Sequence, residues 1–173
     1  VGHLESMTDP LTDLDINGRA QLGLLEACRQ HNPGVTIVFT STRQVYGRAV
    51  QLPITESHPI APVDVNGVSK RTGEMFYELY HRVYGLRSVC LRLTNTYGPR
   101  MNLEGDSTGF LSVFLRRALQ GLPLDVYGDG AQRRDFNDVD DVVDAMLHAA
   151  TNTELIGQAW NLGHPRSYSI REV

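Results

Sequence analysis

Cysteine and tryptophan are scarce in these 173 residues, with two of the first and one of the second. Cys28 lies in the helical pattern Leu24-Leu25-Glu26-Ala27-Cys28, and Cys90 in the strand-like run Ser88-Val89-Cys90-Leu91. Both read as buried thiols rather than as a disulfide or a nucleophile, which suits a reducing cytoplasm. No run of about 18 apolar residues is present to span a membrane, and the N-terminus lacks the charged and apolar regions of a signal peptide. Charge of one sign is missing too: the formal net charge is only −4, which leaves no footprint for nucleic acid or an anionic membrane. Arg116, Arg117, Arg133 and Arg134 are the local exception, a candidate anion site. The histidines show no metal-ligand spacing and none pairs with a cysteine in a zinc pattern, so no metal is expected. Asp138, Asp140 and Asp141 stand where a helix begins, and there acidic residues serve the N-terminal dipole.

What is present is the composition of a globular domain, 41% hydrophobic and 21% charged, in a chain long enough to bury a core. Apolar residues recur at helical spacing from Asp13 to Gln30 and stop at Asn32-Pro33-Gly34. Val35 to Thr40 then reads as a buried strand. After a Pro-rich polar loop from Gly47 to Asp64, helical spacing resumes at Val68, Phe76, Leu79 and Val83 and ends at Tyr84-Gly85. Phe76, Tyr77 and Tyr80 read as packing or surface residues of that helix. Leu86 to Leu93 is a second strand, Leu111 to Leu119 a helix, Leu124 to Tyr127 a short strand and Val139 to Ala150 a helix. Strands alternating with long helices imply an α/β fold with a parallel sheet and right-handed crossovers. The alternation loosens near Tyr97, where a smaller lobe is expected to begin. The chain opens without methionine, its first helix comes at once, and Ser169 to Val173 reads like a helix cut off in its first turn. A fragment at both ends is the expectation.

The candidate chemistry starts with Thr40-Ser41-Thr42-Arg43-Gln44-Val45-Tyr46-Gly47, directly after a predicted buried strand. Ligands of an open parallel sheet bind at the carboxyl ends of the strands, so hydroxyls here face the crevice, although Ser and Thr also form turns there. Lys70 follows near the start of the next helix, and Asn95-Thr96-Tyr97-Gly98-Pro99 after the second strand. Together with His3-Leu4, Asp9-Pro10 and Asn17, Gly128-Asp129-Gly130, Arg134-Asp135-Phe136, Asp140-Asp141-Val142-Val143 and Trp160-Asn161-Leu162-Gly163, this order resembles the extended short-chain dehydrogenases. The likeness is to their NAD-dependent nucleotide-sugar epimerases and dehydratases in particular, and it covers nearly the whole chain.

The resemblance implies the C-terminal part of a Rossmann-type doubly wound sheet over residues 1–96. Residues 97–173 would be part of a small substrate-binding lobe with segments returning to the sheet. His3-Leu4 would end the family's fourth strand. Thr42 would bond the sugar hydroxyl or keto oxygen undergoing redox, and Lys70 would hold the nicotinamide ribose. Leu4, Asn17, Thr40 and Thr94 would border NAD or NADP, while Asn95 and Arg134 bind the diphosphate, Arg being suited to bidentate contact with its oxygens. Tyr127, at the end of the expected 124–127 strand, would lie by the nucleotide base. The substrate would be a nucleoside-diphosphate sugar, oxidised and then epimerised, dehydrated or reduced. The amphipathic helices Leu14 to Cys28 and Val68 to Val83 would form a dimer bundle.

Three features depart from the family. Asn66 stands four residues before Lys70, where the family has a tyrosine whose phenolate takes the hydroxyl proton. A carboxamide orients a substrate but is no general base, which leaves the proton to a water or to another residue such as Tyr46 and opens the alternative of a binding or regulatory protein. Glu5-Ser6 replaces small apolar residues beside the cofactor, with Glu5 read as a solvated charge. The glycine-rich turn that cradles a pyrophosphate is not among these residues, since Gly128-x-Gly130 comes too late and reads as a turn, so the chain alone is expected to bind NAD poorly.

Overall fold

The computed structural model describes residues 3–104 and 109–173. Three strands, β1 (Thr36–Thr42), β2 (Arg87–Leu93) and β5 (Ala159–Leu162), form one all-parallel sheet in the order β1-β2-β5. The parallel sheet expected from the alternating pattern is therefore present. Before β1 come α1 (His3–Thr8), α2 (Pro10–Leu14), a π-helical turn over Asp15–Arg19, and α3 (Ala20–His31). Between β1 and β2 lie a 3-10 turn over Arg43–Tyr46 and the long α4 (Val65–Tyr84).

Helix α4 is fixed at both ends by local chemistry. Asp64 caps its start by accepting the Gly67 N–H at 2.7 Å, and Gly85 ends it in the left-handed conformation at φ 69°. Strand β2 is buried on both faces, as a central parallel strand must be. Its period of two sends Cys90 to the core formed with Leu25, Phe39, Tyr77 and Tyr80, and sends Val89 and Leu91 to the opposite side with Ala149 of α6 (Val139–Thr151). Burying a side chain such as Leu25 stabilises the fold by about 2 kcal/mol. Cys90 is buried and Cys28 half-buried, both as free thiols. Tyr77 and Tyr80 belong to the core, and Phe76 packs against it.

Helix α4 meets the π-turn closely at Gly73, where an added Cβ would lie 2.7 Å from the Asn17 carbonyl oxygen and 2.8 Å from the Phe39 ring. Alanine in a helix normally gains about 1 kcal/mol over glycine. Overpacking costs about 1–3 kcal/mol and wins here, because one obstacle is backbone and the other a core ring. Gly73→Ala is expected to destabilise the protein by up to about 2 kcal/mol net in chemical denaturation.

A second sheet of β3 (Asn95–Tyr97), β4 (Arg133–Asp138) and β6 (Ser167–Ser169) joins β3 to β4 in parallel and β4 to β6 antiparallel. Helix α5 (Phe110–Leu119) precedes β4, and α6 returns to pack on β1 and β2. Asp138 caps α6 by accepting the Asp140 N–H at 2.9 Å, the structural role expected of that acidic group.

Three expectations fail. Leu124 to Tyr127 is not a strand: the Tyr127 carbonyl takes its bond from the Gln132 side chain, and the exposed Leu124 and Val126 have no sheet to pack against. His3-Leu4 begins helix α1 instead of ending a strand. Ser169 to Val173 is no helix, because β4 takes Ser167–Ser169 into its ladder and Glu172 then accepts the Ser169 N–H at 2.7 Å to close a turn. Among the described residues no helix is long and apolar enough to cross a membrane.

Candidate functional site

All three parallel strands end on the same side, and the side chains of interest gather there. β1 delivers Thr40 and Thr42. The Thr42 hydroxyl caps the following 3-10 turn, accepting the Gln44 N–H at 3.3 Å and donating to the Gln44 side chain at 3.2 Å. Gln44 in turn donates to the helix-capping Asp64 at 2.9 Å, so the end of β1 and the start of α4 are one hydrogen-bonded unit. At Gly67 any Cβ would come within 2.8 Å of the Gln44 carbonyl, and glycine lets the two approach.

One turn along α4, the Lys70 ammonium donates to the Thr40 carbonyl at 2.7 Å and lies 4.9 Å from the Phe39 ring centroid. Burial lowers its pKa, opposed by the charges of Asp13 and Glu74. An ammonium carries three donors, and those not spent on Thr40 suit a vicinal diol.

Asn66, at the second position of α4, is 5% exposed and donates to Asp13 at 3.0 Å. Asn17 donates to the same oxygen, Oδ1, at 3.1 Å, while Asp13 Oδ2 is buried without a hydrogen bond. A carboxylate only accepts, so the amide nitrogen of Asn66 must face it and its carbonyl oxygen is turned away. Asp13 is a residue the sequence reading missed. The signal was its i, i+4 spacing to Asn17 in a helical stretch. Asn17 itself sits in the π-turn, a feature that recurs at functional sites.

Behind these groups lies a buried ion pair. Glu74, fully buried, receives both forks of Arg92 at 2.9 and 2.8 Å. Arg92 also donates to the Tyr46 hydroxyl, which donates to Asn161 at 2.7 Å. Tyr46 is thus held inside the network at 1% exposure and is not free to take a substrate proton, contrary to the sequence reading.

The remaining residues fall into three cavities. Leu4, Tyr127 and Arg134 line one of about 480 Å³ with an aromatic floor at Phe114 and cationic walls at Arg116 and Arg117. Asn95 is not among them: its carboxamide donates to the Asp135 carbonyl at 3.0 Å, and it opens on a separate cavity beside Phe110. Thr94 lines a third cavity, of about 530 Å³, with Arg43, Tyr46 and Asn161. Its hydroxyl accepts from Asn137 at 2.9 Å. Glu5 is exposed and Ser6 fully buried.

Comparison with known proteins bears on the family and the fold. The model of the NAD dependent epimerase/dehydratase family matches residues 1–163. A UDP-glucose 4-epimerase of Mycolicibacterium smegmatis is 32% identical over 97% of this chain and 53% of its own length. The structure of a UDP-glucose 4-epimerase from Thermotoga maritima, determined with UDP-glucose, superimposes with a TM-score of 0.92 at 32% identity, over 99% of this chain and 55% of that one. A double mutant of a dTDP-glucose 4,6-dehydratase from Streptomyces venezuelae, solved with NAD, gives 0.85 at 29% identity over 99% and 52%. The chain therefore spans about half the length of these relatives. With 163 residues matched in order and the fold reproduced, the chain belongs to the NAD-dependent epimerase/dehydratase family.

Proposed function

We propose that the whole protein containing this chain is an NAD- or NADP-dependent epimerase or dehydratase that transiently oxidises the sugar of a nucleoside-diphosphate sugar. The observation that carries this reading is the Thr42 hydroxyl at the carboxyl end of β1, hydrogen-bonded into the unit that also holds the Lys70 ammonium against Thr40. Lys70 and Thr40 hold the nicotinamide nucleotide together with Asn17, Leu4 and Thr94 of the neighbouring elements, and the donors of Lys70 suit its ribose. The bound nucleotide supplies the hydride acceptor. Thr42 orients the reacting hydroxyl, Arg134 takes the diphosphate with Asn95 on the neighbouring strand, and Tyr127 flanks the base. The division into a cofactor domain at 1–96 and a substrate lobe at 97–173 follows the same reading.

Asn66 occupies the place of the proton acceptor. Its oxygen accepts a hydrogen bond but does not ionise, so the hydroxyl proton leaves to solvent water and the oxidation step is slow. The engagement of Asn66 with Asp13 favours a second reading, a protein that binds both nucleotides and hardly turns over. Incubating the whole protein with NAD and a panel of UDP- and dTDP-sugars separates the two. Chromatography is expected to show slow appearance of an epimer or a dehydrated sugar, and no product from any sugar would leave only binding.

Helix α4 also presents Val68, Met75, Leu79 and Val83 to solvent along one stripe, beside the exposed Leu11 and Leu14 of α2. We infer that this face pairs with its counterpart on a second copy. Light scattering is expected to give a dimer for the whole protein and a monomer for Met75→Glu.

A further inference from the structure

The cavity of about 530 Å³ at the ends of the three strands contains a cation that the proposed reaction leaves unused. Arg43 directly follows Thr42 and starts the 3-10 turn, so its position is fixed by the same cap that fixes the Thr42 hydroxyl. It is half-buried, yet its guanidinium makes no hydrogen bond or ion pair with any described residue. Burial and then the repulsion of Arg134 lower its pKa, only partly opposed by Asp135 and Asp64. Neither carboxylate forms a hydrogen bond or ion pair with it: Asp135 Oδ2 instead accepts the His164 N–H at 3.1 Å, and Asp64 caps α4. A half-buried guanidinium whose donors meet no described protein acceptor is available to an anion entering the cavity. The other cation of this cavity, Arg92, is already satisfied by Glu74.

We infer that Arg43 recognises a carboxylate carried on the sugar itself, so that the preferred substrates are nucleotide-linked uronic acids and related acidic sugars. The inference rests on the nucleotide-sugar reading above and narrows it. Position decides between the anions of such a ligand. Arg43 is the residue after Thr42, at the carboxyl end of β1, so a sugar whose hydroxyl meets Thr42 can extend a charged substituent toward Arg43 in the adjoining cavity. The diphosphate is assigned above to Arg134, which lines a different cavity even though its charge reaches Arg43. A planar guanidinium pairs with a carboxylate through two parallel bonds, whereas a hydroxymethyl group offers it one weak acceptor.

The test is calorimetric titration of the whole protein, in the presence of NAD, with UDP-glucuronic acid and with UDP-glucose, which differ in the carboxylate alone. A charge-assisted hydrogen-bond pair predicts about tenfold to a hundredfold tighter binding of the acid. In Arg43→Gln the ratio of the two affinities falls to near one, and in Arg43→Lys, which keeps the charge without the fork, it falls part of the way. Equal affinities in the unaltered protein, or a ratio that persists in Arg43→Gln, would overturn the inference and leave the nucleotide-sugar reading standing. Binding of neither compound, nor of UDP, would overturn that reading and this inference with it.

Discussion

Replacing Glu74 by glutamine is expected to destabilise the protein by about 3 kcal/mol, because Arg92 would keep its charge in the core with only an amide oxygen to face. The carboxylate and guanidinium are 0% and 5% exposed, so water cannot take over the lost partner. The damage extends to function, since Arg92 also holds Tyr46, and Tyr46 holds Asn161 at the end of β5. Chemical denaturation gives the magnitude, and the double variant Glu74→Leu with Arg92→Met locates its cause. Swapping both ions for apolar groups removes the uncompensated charge, so the pair is expected to recover most of the loss. A single variant within about 0.5 kcal/mol of the unaltered protein would contradict the assignment.

The same pair sets a pH dependence of defined sign. Burial pushes the Glu74 carboxyl up, but the hydrogen bonds and charge of Arg92, with the hydrogen bond from Arg71, more than offset this and hold it below 4.5. A carboxyl depressed on folding stabilises above its unfolded value, and that contribution is lost as the pH falls through the folded value. The gap between the natural protein and Glu74→Gln is therefore expected at neutral pH and to close below about pH 4.5.

Asn66→Tyr is expected to raise turnover of a cognate sugar nucleotide by about 10²- to 10⁴-fold, about 3–5.5 kcal/mol of barrier. The phenol would stand one helical turn before Lys70, whose ammonium stabilises a phenolate. Asn66 gives up its bond to Asp13 in the exchange, and Asn17 still occupies that oxygen. Initial rates with the panel of sugars measure the gain.

The elements that carry Thr42 and Lys70 were legible because their signals are local. A β-branched run gave β1, and α4 has its Asp64 cap, its apolar spacing and its terminal Gly85 within one stretch of chain. The contact between Asp13 and Asn66 spans 53 residues, and no periodicity announces it. Arg43 looked like one more polar residue in a turn, because its isolation is a property of the cavity wall and not of its neighbours in sequence. Leu124 to Tyr127 misled for the opposite reason: an alternating apolar pattern is local, but a strand exists only where another backbone pairs with it.

The most direct measurement is the absorbance of reduced nicotinamide on mixing the whole protein with NAD and a sugar nucleotide in a single turnover. A site with Thr42 and Lys70 in place and no ionisable group at position 66 predicts a slow rise with at least one sugar, and a faster rise in Asn66→Tyr. No rise in either protein, with calorimetry showing both ligands bound, would contradict an oxidising enzyme and leave a binding protein.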